Sequence, residues 1–132
     1  MPEKNNLADL TENYLSLGKT GEIKRLEGGD KFWTLAPEEI EKFGREWLIT
    51  EFYFDADWES WEMHPNGEEI VYLLSGAMDL TLEKDGESQI IELRSKGLTV
   101  VPRGTWHTAK VFEPSNVLVI TLGDETQTRP AN

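Results

Sequence analysis

The chain has 132 residues, of which 38% are hydrophobic, a formal net charge of −12 and no cysteine. It is long enough for one globular domain and too apolar to be disordered. The lack of cysteine excludes disulfides and thiolate metal sites, and the negative charge makes nucleic acid and anionic membranes unfavourable partners. With no signal-peptide pattern and no apolar run that could cross a bilayer, we expect a cytoplasmic protein.

Residues 1–46 predict an N-terminal arm ahead of the main domain. Within residues 3–17 the apolar residues fall on one helical stripe, so we predict a helix that stops at Gly18 or, alternatively, an arm that becomes ordered only on a partner subunit. Residues 20–29 predict a short edge strand. Pro37 followed by two glutamates predicts a short helix that ends at about Phe43.

Residues 47–123 predict an antiparallel barrel or sandwich. Trp47 begins the alternating run WLITEFYFDAD, which is typical of a strand. Further short runs follow, separated by turn residues, at 58–63, 69–75, 77–84, 88–94, 98–102, 107–112 and 116–122. Lys84-Asp85-Gly86-Glu87 predicts a hairpin turn. Residues 124–132 predict a polar, mobile tail, and the whole chain predicts a single domain.

The two histidines of the chain lie in two separate stretches, HPNGEEIVYLLSG from His64 and PRGTWH up to His107. Residues i and i+2 of a strand point to the same face, so Glu62 and His64 should project together. Glu69 opens the next strand after a tight turn, and His107 begins a later one. We therefore predict that two imidazoles and two carboxylates, or three of these four groups, converge inside the barrel.

Such a set is suited to a divalent metal ion. Imidazole is a good ligand for iron, zinc and nickel, and carboxylates bring manganese into range, so the identity of the ion stays open. Glu62 is either a ligand or a general base beside the metal, and it is our candidate catalytic residue.

These stretches resemble the two sequence motifs of the cupin superfamily. In the first motif, G-x5-H-x-H-x3,4-E-x6-G, His64 matches the second histidine, and Glu69 keeps the spacing to Gly76. In the second, G-x5-P-x-G-x2-H-x3-N, the matches are Pro102, Gly104 and His107. The resemblance covers roughly residues 47–122. It implies an all-β double-stranded β-helix (a jelly-roll barrel) with one or two short N-terminal helices.

The chain departs from the motifs at four positions: Glu62 replaces the first histidine, Ala56 the leading glycine and Val111 the final asparagine, and Gly97 is one residue too close to Pro102. Glu68 also satisfies the looser glutamate spacing, but only Glu69 leaves six residues before Gly76. Glu62 bears on the chemistry, because it can ligate through oxygen, move protons, or mark a cupin that has lost its metal.

The resemblance implies metal-dependent chemistry on a small oxygen-rich molecule, such as that of a dioxygenase or an isomerase. The alternative functions are a non-catalytic module that binds a sugar or organic acid, and a barrel whose interior is filled by side chains. Candidate pocket residues are Tyr53, Tyr72, Arg103 and Trp106. The strand WLITEFYFD is apolar on both faces, and cupins that resemble this chain are mostly dimers, so we expect a homodimer.

Overall fold

Antiparallel strands dominate the part of the chain that the structure, a computed structural model, describes: Leu7 and residues 9–131. The strands there are β1 (Asn13–Leu17), β2 (Ile23–Glu27), β3 (Trp47–Phe54), β4 (Ser60–Met63), β5 (Glu69–Lys84), β6 (Glu87–Arg94), β7 (Leu98–Val101), β8 (Trp106–Leu122) and β9 (Gln127–Pro130). The two helices are α1 (Asp30–Trp33) and α2 (Pro37–Gly44). None of the described helices has the length and apolar character needed to cross a membrane.

The long strands β5 and β8 form the frame of the fold. They pair antiparallel over nearly their whole length, with register shifts around Gly76. Gly76 has a φ of 103°, and an added Cβ would lie 2.4 Å from the carbonyl oxygen of Pro114, so only glycine fits this bend. The predicted breaks at residues 75–76 and 114–116 are therefore bends within continuous strands. The predicted strands 69–75 and 77–84 together form β5, and the predicted strands 107–112 and 116–122 together form β8.

The remaining strands complete a jelly-roll barrel, which confirms the predicted all-β fold. β8 pairs with β3 through one half and with β4 through the other, while β5 also pairs with β6 and β7. The buried interior is apolar and consists of Val71, Leu73, Met78, Leu80, Leu82, Leu93, Val101, Ala109, Val117 and Val119. The predicted hairpin at residues 84–87 is also present, with positive φ at both Asp85 and Gly86, as a two-residue turn between twisted strands requires.

The N-terminal arm belongs to the sheet, and the predicted helix over residues 3–17 is wrong where it can be compared. Asn13–Leu17 is strand β1, which pairs with β2 on one side and β3 on the other. Tyr14 and Ser16 are buried while their neighbours are less so, an alternation of two that overrides the helical spacing. Residues 3–6 and 8 of that prediction lie outside the described residues. The edge strand and the helix from Pro37 are confirmed.

The predicted mobile tail is also wrong over Gln127–Pro130, because β9 pairs with β4. The Arg129 guanidinium lies 5.0 Å from the ring centroid of Trp61 and 4.4 Å from that of Trp106, and it forms a 2.9 Å ion pair with Glu83. These contacts tie the tail to the barrel. The division of the chain at residues 46 and 123 stays a prediction.

Candidate metal centre

Three strands bring the predicted ligands to one end of the barrel interior. Glu62 of β4 is paired with His107 of β8, and Glu69 of β5 is paired with Thr121 at the far end of β8. His64 follows directly after β4. Its carbonyl accepts a 3.0 Å hydrogen bond from the N–H of Gly104, which joins the loop of the first motif to that of the second.

The four side chains meet, as the sequence predicts. The Nε2 atom of His64 lies 3.0 Å from one carboxylate oxygen of Glu69, and the Nε2 atom of His107 lies 3.0 Å from the other. Glu62, His64 and His107 each offer a ligand atom within 4.8 Å of one another. His64, Glu69 and His107 are at most 6% exposed. This combination of short distances and burial is what a metal site requires.

Both imidazoles are held in the tautomer that metal ligation needs. The Nδ1 of His107 lies 3.1 Å from the carbonyl oxygen of Thr105, which can only accept, so Nδ1 carries the proton. The Nδ1 of His64 lies 2.8 Å from the hydroxyl of Thr126, whose single proton is donated to the carbonyl of Gly123. That hydroxyl can therefore only accept from His64. In the neutral rings, both Nε2 atoms keep a free lone pair.

These two lone pairs have no hydrogen-bond partner among the described residues, although both atoms are buried. Each Nε2 atom lies 3.0 Å from an oxygen of Glu69, and the nitrogen and the oxygen form an ion pair only when the imidazole is protonated. In the neutral rings, a nitrogen lone pair and a carboxylate oxygen at 3.0 Å repel each other unless a metal ion lies beside them. The residues present therefore fit a metal ion, because an ion would satisfy both imidazoles and the carboxylate at once.

The electrostatics of His107 and Glu69 favour a positive charge between these two side chains. Burial alone would lower the pKa of His107, but contact with Glu69 outweighs it and the pKa is raised. Burial would likewise raise the pKa of Glu69, but the two imidazoles outweigh it and the pKa lies well below the usual range for glutamate. Thr121 adds a 2.5 Å hydrogen bond to the same carboxylate. Glu69 is thus held ionised and oriented toward both histidines.

Glu62 differs from the other three groups. Its carboxylate lies 3.9 Å from the Nε2 of His64, and its side chain is 40% exposed. Its pKa is raised, first by partial burial and then by the charge of Glu69. A carboxyl group with a raised pKa, placed between the buried ligands and open space, is suited to ligating a metal weakly or to moving a proton.

A cavity of about 1110 Å³ opens directly beside Glu62, His64 and Glu69. Its walls come from the barrel mouth, from α1 and α2 of the N-terminal arm, and from the segment after β8. The interior is thus not filled by side chains, which counts against the purely structural function. The arm closes one side of the mouth, so a small molecule can reach His64 while most of its surface is covered.

Only one of the four predicted pocket residues lines this cavity. Tyr53 does, and it is 57% exposed. The structure does not bring the others to the cavity: Tyr72 alternates with the inward-facing Val71 and Leu73, and Arg103 lies in the exposed loop of the second motif. Trp106 contacts the guanidinium of Arg129 instead.

Three threonines with roles at the centre were missed by sequence reasoning. The carbonyl of Thr105 and the hydroxyls of Thr121 and Thr126 orient His107, Glu69 and His64. None of these three threonines occupies a defined position of the two motifs. The pairing of Thr121 with Glu69 follows only from the register of two strands that are about fifty residues apart in sequence. Thr126 lies in the segment predicted to be mobile, so no sequence signal pointed to it.

In sequence, the chain matches no family model and no curated protein. In structure, it is similar to oxalate decarboxylase from Bacillus subtilis, with 22% identity, a TM-score of 0.52 and coverage of 65% of this chain and 23% of that one. The S161A mutant of the same enzyme gives 20% identity, a TM-score of 0.52 and coverage of 64% and 24%. The chain has the cupin fold. The chain thus spans about a quarter of the length of those enzymes.

A cupin-2 domain protein from Shewanella frigidimarina is a further structural neighbour, with 18% identity, a TM-score of 0.49 and coverage of 56% of this chain and 68% of that one. At these identities the comparisons concern the fold. What supports a metal centre in this chain is therefore its own geometry: two histidines and two glutamates meet at the barrel mouth, beside a cavity.

Proposed function

We propose that this cupin binds a divalent transition-metal ion through His64, His107 and Glu69, with Glu62 as a fourth ligand or a proton carrier, and that it acts on a small molecule in the adjoining cavity. One observation carries the proposal. Two buried Nε2 atoms, which are acceptors in the neutral rings and have no hydrogen-bond partner among the described residues, flank one ionised carboxylate.

The donor set of two imidazoles and one or two carboxylates suits manganese, iron, nickel or zinc. A neighbouring oxalate decarboxylase structure is described by its Mn(II) centres, which is in keeping with manganese.

The metal would supply a Lewis acid or redox centre with open positions for an oxygen donor of the ligand. The residues of the chain do the rest. Thr105 and Thr126 keep the imidazoles in the ligating tautomer, and Thr121 holds Glu69 in place. Glu62, at the cavity side and with a raised pKa, accepts or donates the proton of a bound hydroxyl group.

Elemental analysis of the purified protein tests the metal site. We expect close to one equivalent of a transition metal per chain after reconstitution. Glu69→Gln should abolish most of this binding, because the amide carries no charge and cannot ligate as strongly. Glu68→Gln is the matched control, since Glu68 is exposed and one residue away. Less than about a tenth of an equivalent in the reconstituted wild type would refute the proposal.

A non-catalytic binding function is the second candidate, and it is favoured by the partly exposed Glu62 in the first histidine position. A turnover screen separates the two. Metal-loaded protein would be mixed with a panel of small molecules, and melting temperature and product would be measured together. A rise in melting temperature with product formation supports an enzyme, either an oxygenase or an isomerase. A rise without product for any ligand supports a binding module.

A further inference from the structure

The charges around the cavity have one sign. Among the described residues that line it there is neither a lysine nor an arginine. The acidic lining residues are seven: Glu41, Asp55, Asp57, Glu59, Glu62, Glu69 and Glu125. A divalent ion would offset only two of these charges, so the loaded cavity stays negative. Such a cavity repels carboxylates and phosphates and concentrates cations.

Several of these acidic side chains form no ion pair with a basic side chain among the described residues. Glu41 forms a 3.6 Å ion pair with Arg45, and Asp57 accepts a 2.7 Å hydrogen bond from the backbone N–H of Val111. By contrast, the exposed carboxylates of Asp55, Glu59 and Glu125 form no ion pair within the described part of the chain. These three acidic side chains at the rim are therefore available to a positively charged ligand.

One wall of the cavity is a continuous row of aromatic rings, here called the aromatic wall: Trp33, Phe52, Phe54 and Trp58. Successive ring centroids are 6.3, 5.8 and 5.4 Å apart, and the ring of Trp58 lies 6.1 Å from that of His107. The wall thus runs from the half-exposed Trp33 at the mouth to the metal centre. Aromatic faces attract apolar surface and ammonium groups alike.

Two unpartnered groups mark the inner end of the cavity as a ligand site. The Nε2 of His64, in a side chain that is 7% exposed, lies at the inner end of the cavity. The indole N–H of Trp58 is buried and also lacks a hydrogen-bond partner among the described residues. Trp58 also lines the cavity, so an oxygen atom of a bound ligand would be a suitable acceptor for this indole.

We propose that the ligand of this cavity is an amine: a molecule with an oxygen donor at the metal end, an aromatic or apolar body along the aromatic wall, and a cationic nitrogen at the acidic rim. The inference rests on the proposed function for its oxygen donor, which would bind at the metal. It disfavours an organic acid, because the lining residues include no basic side chain and a divalent ion would offset only two of the seven acidic charges.

The test uses three probes with the same phenol group and different charge: tyramine, para-ethylphenol and para-hydroxyphenylpropionate. Their affinities would be measured by calorimetry on the full chain, metal-loaded and metal-stripped, at low and high salt. We expect tyramine to bind about tenfold more tightly than the neutral probe and the anion to bind weakest. The advantage of tyramine should shrink at high salt, because the rim acids are exposed.

Variants separate the rim from the aromatic wall. Asp55→Asn combined with Glu59→Gln should remove most of the advantage of tyramine over para-ethylphenol. Glu87→Gln, an exposed glutamate of the β5–β6 hairpin that does not line the cavity, should change nothing. Phe54→Leu should weaken tyramine and para-ethylphenol together, since Phe54 lines the cavity beside Trp58, at the inner end of the aromatic wall.

The outcomes distinguish this inference from the proposed function. If para-hydroxyphenylpropionate binds as tightly as tyramine to metal-loaded protein, or if none of the probes binds at millimolar concentration, the ligand class is refuted and the metal site stands. If the expected order holds but elemental analysis finds no metal after reconstitution, the metal function is refuted and the ligand class stands.

Discussion

Replacing Thr126 by valine should weaken metal binding without touching a ligand. The threonine oxygen lies 2.8 Å from the Nδ1 of His64 and donates its own proton to the carbonyl of Gly123 at 2.7 Å. Valine has nearly the same shape but no acceptor, so the Nδ1–H of a buried ring loses its partner. Loss of such an outer partner typically weakens metal binding by about 10- to 100-fold, or roughly 1.4 to 2.8 kcal/mol. We expect a loss in that range.

Competition with a chelating dye at fixed pH measures this affinity. Thr126→Ser keeps the hydroxyl and should bind metal within about threefold of the wild type. Thr128→Val is the matched control, because Thr128 also lines the cavity and, within the described part of the chain, its side chain forms no hydrogen bond to His64, Glu69 or His107. Melting of the metal-free variants shows whether folding is retained. The reasoning fails if Thr126→Val binds metal like the wild type, or if Thr128→Val loses as much affinity.

Three further predictions concern the tail, the first histidine position and assembly. Arg129→Leu should lower the free energy of unfolding by about 1 to 2 kcal/mol in urea titrations, since it loses two ring contacts and a partly exposed ion pair; an unchanged midpoint would contradict this. Glu62→His should raise metal affinity about tenfold by dye competition, because imidazole is a better ligand for these ions, and weaker binding would show that Glu62 itself ligates. We also expect a homodimer, because Trp47 and Tyr53 of β3 stay 40% and 57% exposed; a monomer mass by light scattering at micromolar concentration would rule it out.

The convergence of the four groups was predictable partly from local geometry and partly from a family resemblance. The alternation of a strand places Glu62 with His64. The spacing to Gly76 in the cupin motif selects Glu69 over Glu68. The pairing of distant strands was harder to foresee. Bends at residues 75–76 and 114–116 look like turns in sequence, because glycine and proline mark both, and only the register shows that β5 and β8 continue through them.

The errors at both ends of the chain have one physical cause. Asn13–Leu17 carries a helical spacing of apolar residues, and Gln127–Pro130 carries almost none, yet both are strands. A local sequence pattern determines secondary structure only where no tertiary pairing overrides it. Here β3 and β4 offer unpaired edges, and the backbone groups of the two ends satisfy them. The same pairing carries Thr126 to His64, which is why a residue of the metal centre lay in a segment without a sequence signal.

The net charge of −12 also acquires a different meaning once the fold is known. In sequence it describes a solvated surface, because nothing in composition tells which carboxylates face a cavity. The fold places Asp55 and Glu59 after β3 and Glu125 after β8, and all three residues line the cavity. The negatively charged surface therefore repels anions at long range, and the acidic cavity repels them at contact. A cationic ligand is drawn by the whole molecule toward the mouth and then held by its rim, while an organic acid is opposed at each step.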